Sequence, residues 1–419
     1  FKIKPSFFLR NQSPLLYLSA NFLFPGPQMK TRLLLCAGVL AVSSAHASAL
    51  YFYEAGTEDT ALAGAGQAAR AKDASTIMTN PAGMTRLPDH MVTGGLQVMD
   101  GSIDNQLDND AHQSPGDVMK TIPNASAFYS QKINDDLYAG IGLYGNYGLG
   151  IDYGSWAGDR LIKKSTMVAM TLSPSLAYKL NDRLSIGASA NVNYGYFSLT
   201  RSVNDDDYQR RDEDLAMSYR LGLLMQLTDQ TRAGITWNSE TDYSFNIDGN
   251  ARLQNGTYDL PLSAQISAPQ QIMLSLVHDI NPRWSVMGDL GWQDWSQFGA
   301  PQIVVGDQQL NNVSRLKDTW HGAVGVQYRP TPQWRLNAGV AFDSSPYESQ
   351  SDVALTLPTG DEWRFGTGAQ YQITPASNIG IAVSYLHMQS SHVKSPVAFA
   401  GSYDHPYLWF ASVNYSYQF

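Results

Sequence analysis

Six times along the chain a short polar turn joins two stretches in which apolar and polar side chains alternate. The copies are QKINDDLYAGIG from Gln131, YKLNDRLSIGAS from Tyr178, MQLTDQTRAGIT from Met225, HDINPRWSVMGD from His278, YRPTPQWRLNAG from Tyr328 and YQITPASNIGIA from Tyr371. Their starts lie 47, 47, 53, 50 and 43 residues apart, so each interval holds two strands and one longer connection. Leu184, Ile186, Ala188, Ala190, Val192, Tyr194 and Tyr196 alternate with Ser185, Gly187, Ser189, Asn191, Asn193 and Gly195. A period of two is the mark of a strand with two unlike faces. Soluble sheets alternate as well, but their strands usually run about five to six residues. Runs of ten or more suit tilted passage through a bilayer.

The long connections fall near 101–123, 148–164, 199–215, 239–262, 297–316, 344–361 and 389–405. Seven long loops and six short turns separate fourteen strands, an even number with the short turns on the periplasmic side, as bacterial barrels require. The fold class predicted is therefore all-β: a transmembrane antiparallel β-barrel of about 14 strands over residues 90–419. Closure removes the unpaired edges that lipid cannot solvate. The mean hydropathy of -0.26 is no objection, because such a wall is apolar only on alternate residues.

The chain ahead of the barrel divides into three parts. Residues 1–28 show no strand or helix periodicity and are expected to be an upstream extension. From Met29, the basic Lys30 and Arg32, the apolar Leu33–Val42 and the small-residue Ala45-His46-Ala47 form a secretory signal series over 29–47. About ten apolar residues are too few for a spanning helix. The single cysteine, Cys36, lies inside this signal, so disulfides and thiolate sites are not expected afterwards. Without Lys2, Lys4, Arg10, Lys30 and Arg32, 23 basic residues face 37 acidic ones, a formal charge of -14; a nucleic-acid partner is disfavoured. Residues 48–89 do not alternate. They are rich in Ala and Gly, and Asn80-Pro81 ends any short helix there; a small N-terminal hatch inside the lumen is predicted, a surface cap being the alternative. A fourteen-strand lumen is too wide for wall side chains alone to fill.

Five glycines, Gly140, Gly142, Gly145, Gly148 and Gly150, crowd the third strand. Glycine admits a bulge or kink, or lets the strand pack tightly against a plug. The inward phase of the fifth strand reaches Phe197, Leu199 and Arg201, two apolar groups and a guanidinium suited to an oily tail and a carboxylate. Arg201 has an alternative partner in the acidic run Asp205–Asp207. Lys163 and Lys164 are expected in a solvated loop or on lipopolysaccharide phosphates, and Trp292 and Trp295 in an aromatic girdle. The histidines are scattered without metal spacing, and no nucleophile elbow or phosphate loop is present. No catalytic residues, metal or cofactor are expected.

The NPAG at Asn80, Pro81, Ala82 and Gly83, YGLGIDYGSWAGDRLIKKST from Tyr147, SPSLAYKLNDRLSIGA from Ser173, GWQDWSQF from Gly291 and the aromatic end at Tyr415, Tyr417 and Phe419 together resemble the FadL/TodX-type long-chain fatty acid transporters. The resemblance covers nearly the whole of the chain after the signal. It implies an outer-membrane, monomeric barrel with an N-terminal hatch, carrying long-chain fatty acids or similar hydrophobic compounds passively inward. It further implies a third strand kinked at Gly142, Gly145, Gly148 and Gly150, a lateral gap beside it, and a ligand-contacting arginine at Arg201. The aromatic end resembles the signal read by the barrel assembly machinery. Fatty acid versus aromatic hydrocarbon stays open, and so do a general porin and an adhesin or phage-receptor barrel.

Overall fold

The computed structural model describes residues 56–419, except positions 110–111, 160–161, 204–205, 247–248, 254–255, 261, 298–302, 306–307, 311–315, 352, 354, 356–357 and 395–399. The predicted signal segment with Cys36 lies outside the described residues. Fourteen antiparallel strands close into a barrel. In chain order they are β1 His90–Ser102, β2 Ile122–Lys132, β3 Leu137–Asp152, β4 Lys164–Asn181, β5 Leu184–Val203, β6 Asp206–Gln226 and β7 Thr231–Asn238. The second half comprises β8 Gln271–Asn281, β9 Trp284–Gln293, β10 Thr319–Tyr328, β11 Trp334–Asp343, β12 Glu362–Thr374, β13 Ser377–Met388 and β14 Tyr407–Gln418. Closure is made by β1 and β14, paired from Met91↔Gln418 to Ser102↔Tyr407.

The alternation read from sequence becomes two faces. Leu96, Leu176, Leu215, Val324 and Ile381 are more than half exposed, an outward apolar surface that only lipid covers favourably. Trp320, Trp363 and Trp409 ring one edge of this band, while Trp284, Trp334 and Tyr371 ring the other. Eight residues separate Trp363 from Tyr371 on β12, about 26 Å along a strand and some 20 Å once it tilts. The inward phase is small and polar, with Ser185, Ser189, Asn191 and Asn193 all buried on β5. They bond to neighbouring inward groups, as in Ser173 Oγ to Asn191 Oδ1 at 2.7 Å and Thr171 Oγ1 to Asn193 Oδ1 at 2.7 Å.

Several connections differ from expectation, the 199–215 region most of all. The region 199–215 is not a loop: β5 runs to Val203, β6 resumes at Asp206, and the two pair from Leu184↔Met225 to Val203↔Asp206. Beyond the membrane a strand needs no apolar face, so the ladder continues through a charged stretch that carries no periodic signal. The third strand likewise extends to Asp152 rather than ending near 148.

The segment preceding β1 forms three short helices, Thr57–Ala61, Gln67–Arg70 and Thr76–Thr79, and a 3-10 turn Pro81–Arg86. Gly64 and Gly66 take left-handed backbone (φ 89° and 77°), a conformation open to glycine without steric strain. Its partners are inward residues of strands all around the circumference, so this segment lies within the barrel. A Cβ added at Gly366 on β12 would strike the Thr60 carbonyl; at Gly339 on β11, the Leu62 carbonyl; at Gly234 on β7, that of Ala68. Backbone is pressed directly on backbone, which explains the small-residue composition.

Candidate functional site

Polar side chains on the inner wall hold the inner segment by its main chain. Asp289 on β9 accepts from the Gly66 and Gln67 amides at 2.7 and 3.3 Å, and Ser275 on β8 accepts from Ala68 N at 3.0 Å. Arg232 on β7 donates to the carbonyls of Ala69 and, at 2.6 Å, Arg70. The helix Gln67–Arg70 is thus satisfied at both ends by opposite charges, as its unpaired amides and carbonyls demand. Thr93 on β1 accepts from Ala74 N at 3.2 Å, and Gln327 on β10 donates to Glu58 at 3.0 Å.

The four NPAG residues form one contact. Asn80 Nδ2 donates to Ala68 O at 2.7 Å and to Leu223 O of β6 at 3.1 Å, while its Oδ1 accepts from Ala82 N at 3.0 Å. Pro81 and Ala82 lie flush on Gly187 of β5, and the Asn80 side chain on Gly222 of β6. Gly83 faces Thr76 and Ala71. The motif therefore ties the inner segment to itself and to two adjacent strands.

Glu58 is sunk in this assembly. Burial alone would raise its carboxyl, but Arg335, Arg70 and Lys72 bring it below the usual range. Lys72 is pushed down to about 8, first by burial and then by Arg335, Arg232 and Arg329. Arg70 pairs with Asp59 and stands 3.9 Å from Glu58.

Toward the long-loop end the inner surface turns apolar. Phe197, Ala169, Ala216, Tyr243, Phe245 and Trp295 are buried together, with Met167, Leu199 and Leu316 against them. Phe197 and Phe245 lie 5.5 Å apart between ring centroids, and Tyr243 and Phe245 5.8 Å. Leu199 and Leu316 also touch a second cluster that includes Tyr153, Trp156, Tyr347, Tyr403 and Phe410, in which Tyr153 donates to Leu355 O at 2.9 Å and Trp156 to Ile162 O at 2.7 Å. Two of the three predicted binding residues, Phe197 and Leu199, thus sit in one apolar lining. Arg201 lies two residues farther along the same face, half-buried, with its guanidinium 5.6 Å from the Tyr208 ring centre. Asp207 of the acidic run pairs with Lys163, and Lys164 stands 3.1 Å from Asp152.

Trp295 is a correction. It is 1% exposed and donates to Gln293 Oε1 at 2.6 Å, inside the lining rather than in a girdle. The 3-10 turn Trp295–Gln297 rotates it off the strand phase. Tyr243 and Phe245 lie in the 239–262 connection, which the sequence presents as a loop; the alternation within TDYSFN is the signal that marks them as strand residues.

Beside the inner segment the wall is interrupted. Pairing of β2 with β3 ends at Ser126↔Tyr144, whereas β2 continues with β1 to Ile122 and β3 continues with β4 to Asp152. The β3–β4 register shifts between Gly145 and Tyr147. A second bridge, Met119↔Ile151, closes the far side, with Lys120 N donating to Gly150 O at 3.2 Å. Ile122–Ala125 and Gly145–Leu149 thus border a window in the ladder pairing. Asn124 reaches the Gly145 carbonyl at 3.4 Å, and Asn146 is buried with its Oδ1 unpartnered among the described residues. Gly145 flanks the shift and Gly148 lies just past it, opposite Val168. Gly150 stands at the window's upper edge, while Gly142 packs against Phe128 and against Ile77 of the inner segment. At the chain end, Tyr415, Tyr417 and Phe419 are exposed, and Phe419 stacks on His90 and Tyr129.

A closed even-stranded barrel, apolar outward between two aromatic rows and filled by its own leading segment, is a bacterial outer-membrane transport barrel. The chain belongs to the family described as Outer membrane protein transport protein (OMPP1/FadL/TodX), matched over residues 38–419. It is 22% identical over 407 residues to the long-chain fatty acid transport protein of Escherichia coli K12, covering 84% of this chain and 90% of that one. It is 24% identical to outer membrane protein P1 of Haemophilus influenzae Rd, covering 86% and 91%. In fold it is similar to a Pseudomonas aeruginosa FadL homologue, with a TM-score of 0.75 at 18% identity over 89% of this chain and 99% of that one. The Pseudomonas putida toluene transporter TodX gives 0.68 at 20% identity over 87% and 98%. The protein resides in the outer membrane, and its relatives are transporters rather than enzymes.

Proposed function

We infer that the protein takes up long-chain fatty acids or similar hydrophobic compounds by passive diffusion, without catalysis. In this reading the ligand settles in the lining of Phe197, Leu199, Tyr243 and Phe245. The inner segment acts as a hatch against water, and the ligand leaves sideways through the window beside β3. The names of the relatives, one for fatty acids and one for toluene, support the class of cargo, and Arg201 near the lining favours a carboxylate head. Passage through an aqueous pore would oppose a chain of some sixteen carbons by on the order of 10 kcal/mol, at about 0.8 kcal/mol per methylene. A route from apolar lining to bilayer avoids that cost. The protein works as a monomer, is inserted by the barrel assembly machinery through its aromatic end, and carries lipopolysaccharide around its outer rim.

The observation that carries this reading is the unpaired border between Ile122–Ala125 and Gly145–Leu149. Deleting Asn146 removes the extra residue of the bulge and lets β3 stay in register. Uptake of radiolabelled oleate by cells lacking other such transporters should fall at least tenfold while the barrel still folds. Full uptake by a correctly folded deletion variant would rule out the lateral route.

A further inference from the structure

The short-turn end of the barrel holds a pocket that the transport reading does not use. It has a volume of about 520 Å3 and lies between the β8–β9 turn, the β10–β11 turn and the lower ends of β12 and β13. Arg283, Arg329 and Arg335 line it together with the amides of Gln370, Gln372 and Asn378. None of its described lining residues is acidic. Its volume is that of a small-molecule site.

Two of the three cations, Arg283 and Arg329, are not consumed by structure, whereas Arg335 is shared with Glu58. Arg335 Nε stands 3.6 Å from Glu58 Oε1, but that carboxylate already accepts from Gln327 at 3.0 Å and faces Arg70. Arg329 donates to the neutral Gln327 Oε1 at 3.1 Å. Among the described residues no carboxylate forms an ion pair with Arg283 or Arg329. The turns that carry them contain Pro282, Pro330 and Pro332, which fix the backbone and bring no amide donor of their own. A chain with a formal charge of -9 therefore gathers three guanidiniums in one concave, partly walled place, where the field is focused. The depressed Lys72 ammonium, to which Arg335 and Arg329 contribute, reports the same positive potential.

We propose that this periplasmic vestibule is a phosphate-binding site, taking the phosphate group of a small ester or of an inner-leaflet phospholipid. Guanidiniums grip such groups in pairs of parallel hydrogen bonds, and the surrounding amides complete the shell. The pocket lies on β8–β13, away from the β2–β3 window, so it does not depend on the route proposed for the cargo.

The test uses the full protein, in detergent and in nanodiscs, beside an Arg283→Gln/Arg329→Gln double variant. Arg183→Gln, in the β4–β5 turn at the same end, is the control for general surface charge. Calorimetric titration with inorganic phosphate and glycerol 3-phosphate at fixed low ionic strength should give saturable binding. Affinity should fall at least tenfold in the double variant and stay unchanged in Arg183→Gln. Native mass spectrometry from phosphatidylglycerol against phosphatidylcholine nanodiscs separates the sources. Retained phosphatidylglycerol that is lost in the double variant assigns the site to a lipid headgroup; soluble binding alone assigns it to free phosphate. No saturable binding and no retained lipid, or equal binding by wild type and double variant, overturns the proposal.

Discussion

Replacing Arg232 by methionine keeps an unbranched stem as far as the Nε position and removes the donors that hold the Ala69 and Arg70 carbonyls. Arg232 is buried, at 8% exposure, so water does not substitute for what is lost. A hydrogen bond from a charged group contributes about 1.5–3 kcal/mol. Two of them anchor the inner segment by about 3–6 kcal/mol, and taking the lower end allows for partial relaxation. A loss of about 3 kcal/mol raises the population with this turn undocked by roughly 100-fold. Hydrogen–deuterium exchange of peptides spanning residues 66–72 should accelerate correspondingly, and brief openings should appear in single-channel recordings where wild type is closed. The variant must first show the heat-modifiable electrophoretic mobility of a folded barrel. If it does, and exchange over 66–72 stays within threefold of wild type, Arg232 is not an anchor and the inner segment is held by its backbone contacts alone.

Gly339→Val places a side chain where the Leu62 carbonyl lies; exchange across 57–65 should rise at least tenfold, whereas Gly322→Ala, whose added Cβ meets nothing within 4 Å, should be silent. Arg201→Gln should weaken oleate binding by roughly 10- to 100-fold, the contribution of one charged hydrogen-bonded contact, and leave toluene binding unchanged in fluorescence displacement; equal losses for both would make Arg201 a partner of Tyr208 rather than of a ligand. Lys72 releases its proton near pH 8 when docked and near 10.5 when free, so the undocked chain binds more protons between those values and docking strengthens as pH rises through that window. Thermal midpoints in detergent should climb from pH 8 to 10 relative to Lys72→Met; parallel curves would contradict the shift.

What is legible in the sequence follows from where physics leaves a periodic trace. Inside the bilayer every strand must show lipid an apolar face, so Leu184 to Tyr196 and Trp334 to Phe342 announce both their conformation and their phase. That phase also places Phe197 and Leu199 on the inner side. Outside the bilayer the constraint lapses. Arg201–Val203 and Asp206–Asp214 are paired as regularly as the strand below them, yet their charges follow no period, and by sequence alone the stretch has the character of a loop. Trp295 departs from expectation for a related reason: a 3-10 turn resets the phase one residue after Asp294. The inner segment is visible as a small-residue stretch, but its clamps are not. Asp289 and Arg232 are single charges at inward positions, and only the fold shows that they meet opposite ends of one helix.

The interruption between β2 and β3 raises a problem that the surrounding residues answer. A barrel wall in lipid tolerates no open edge, because each unsatisfied amide or carbonyl costs several kcal/mol there. The exposed stretch is short, since pairing resumes at Met119↔Ile151, and the β4 side of β3 stays paired on both sides of the bulge. At the break itself Asn124 turns its amide to the Gly145 carbonyl. A side chain at 145 would collide with Asn124, so glycine there is a condition for that contact as much as for the bend. Three of the glycines of β3 accordingly fall into two groups. Gly140 and Gly142 admit Ile77 and neighbouring side chains beneath the window, and Gly145 admits the group that seals its rim. Tight packing and the break in pairing are two consequences of one run of missing side chains.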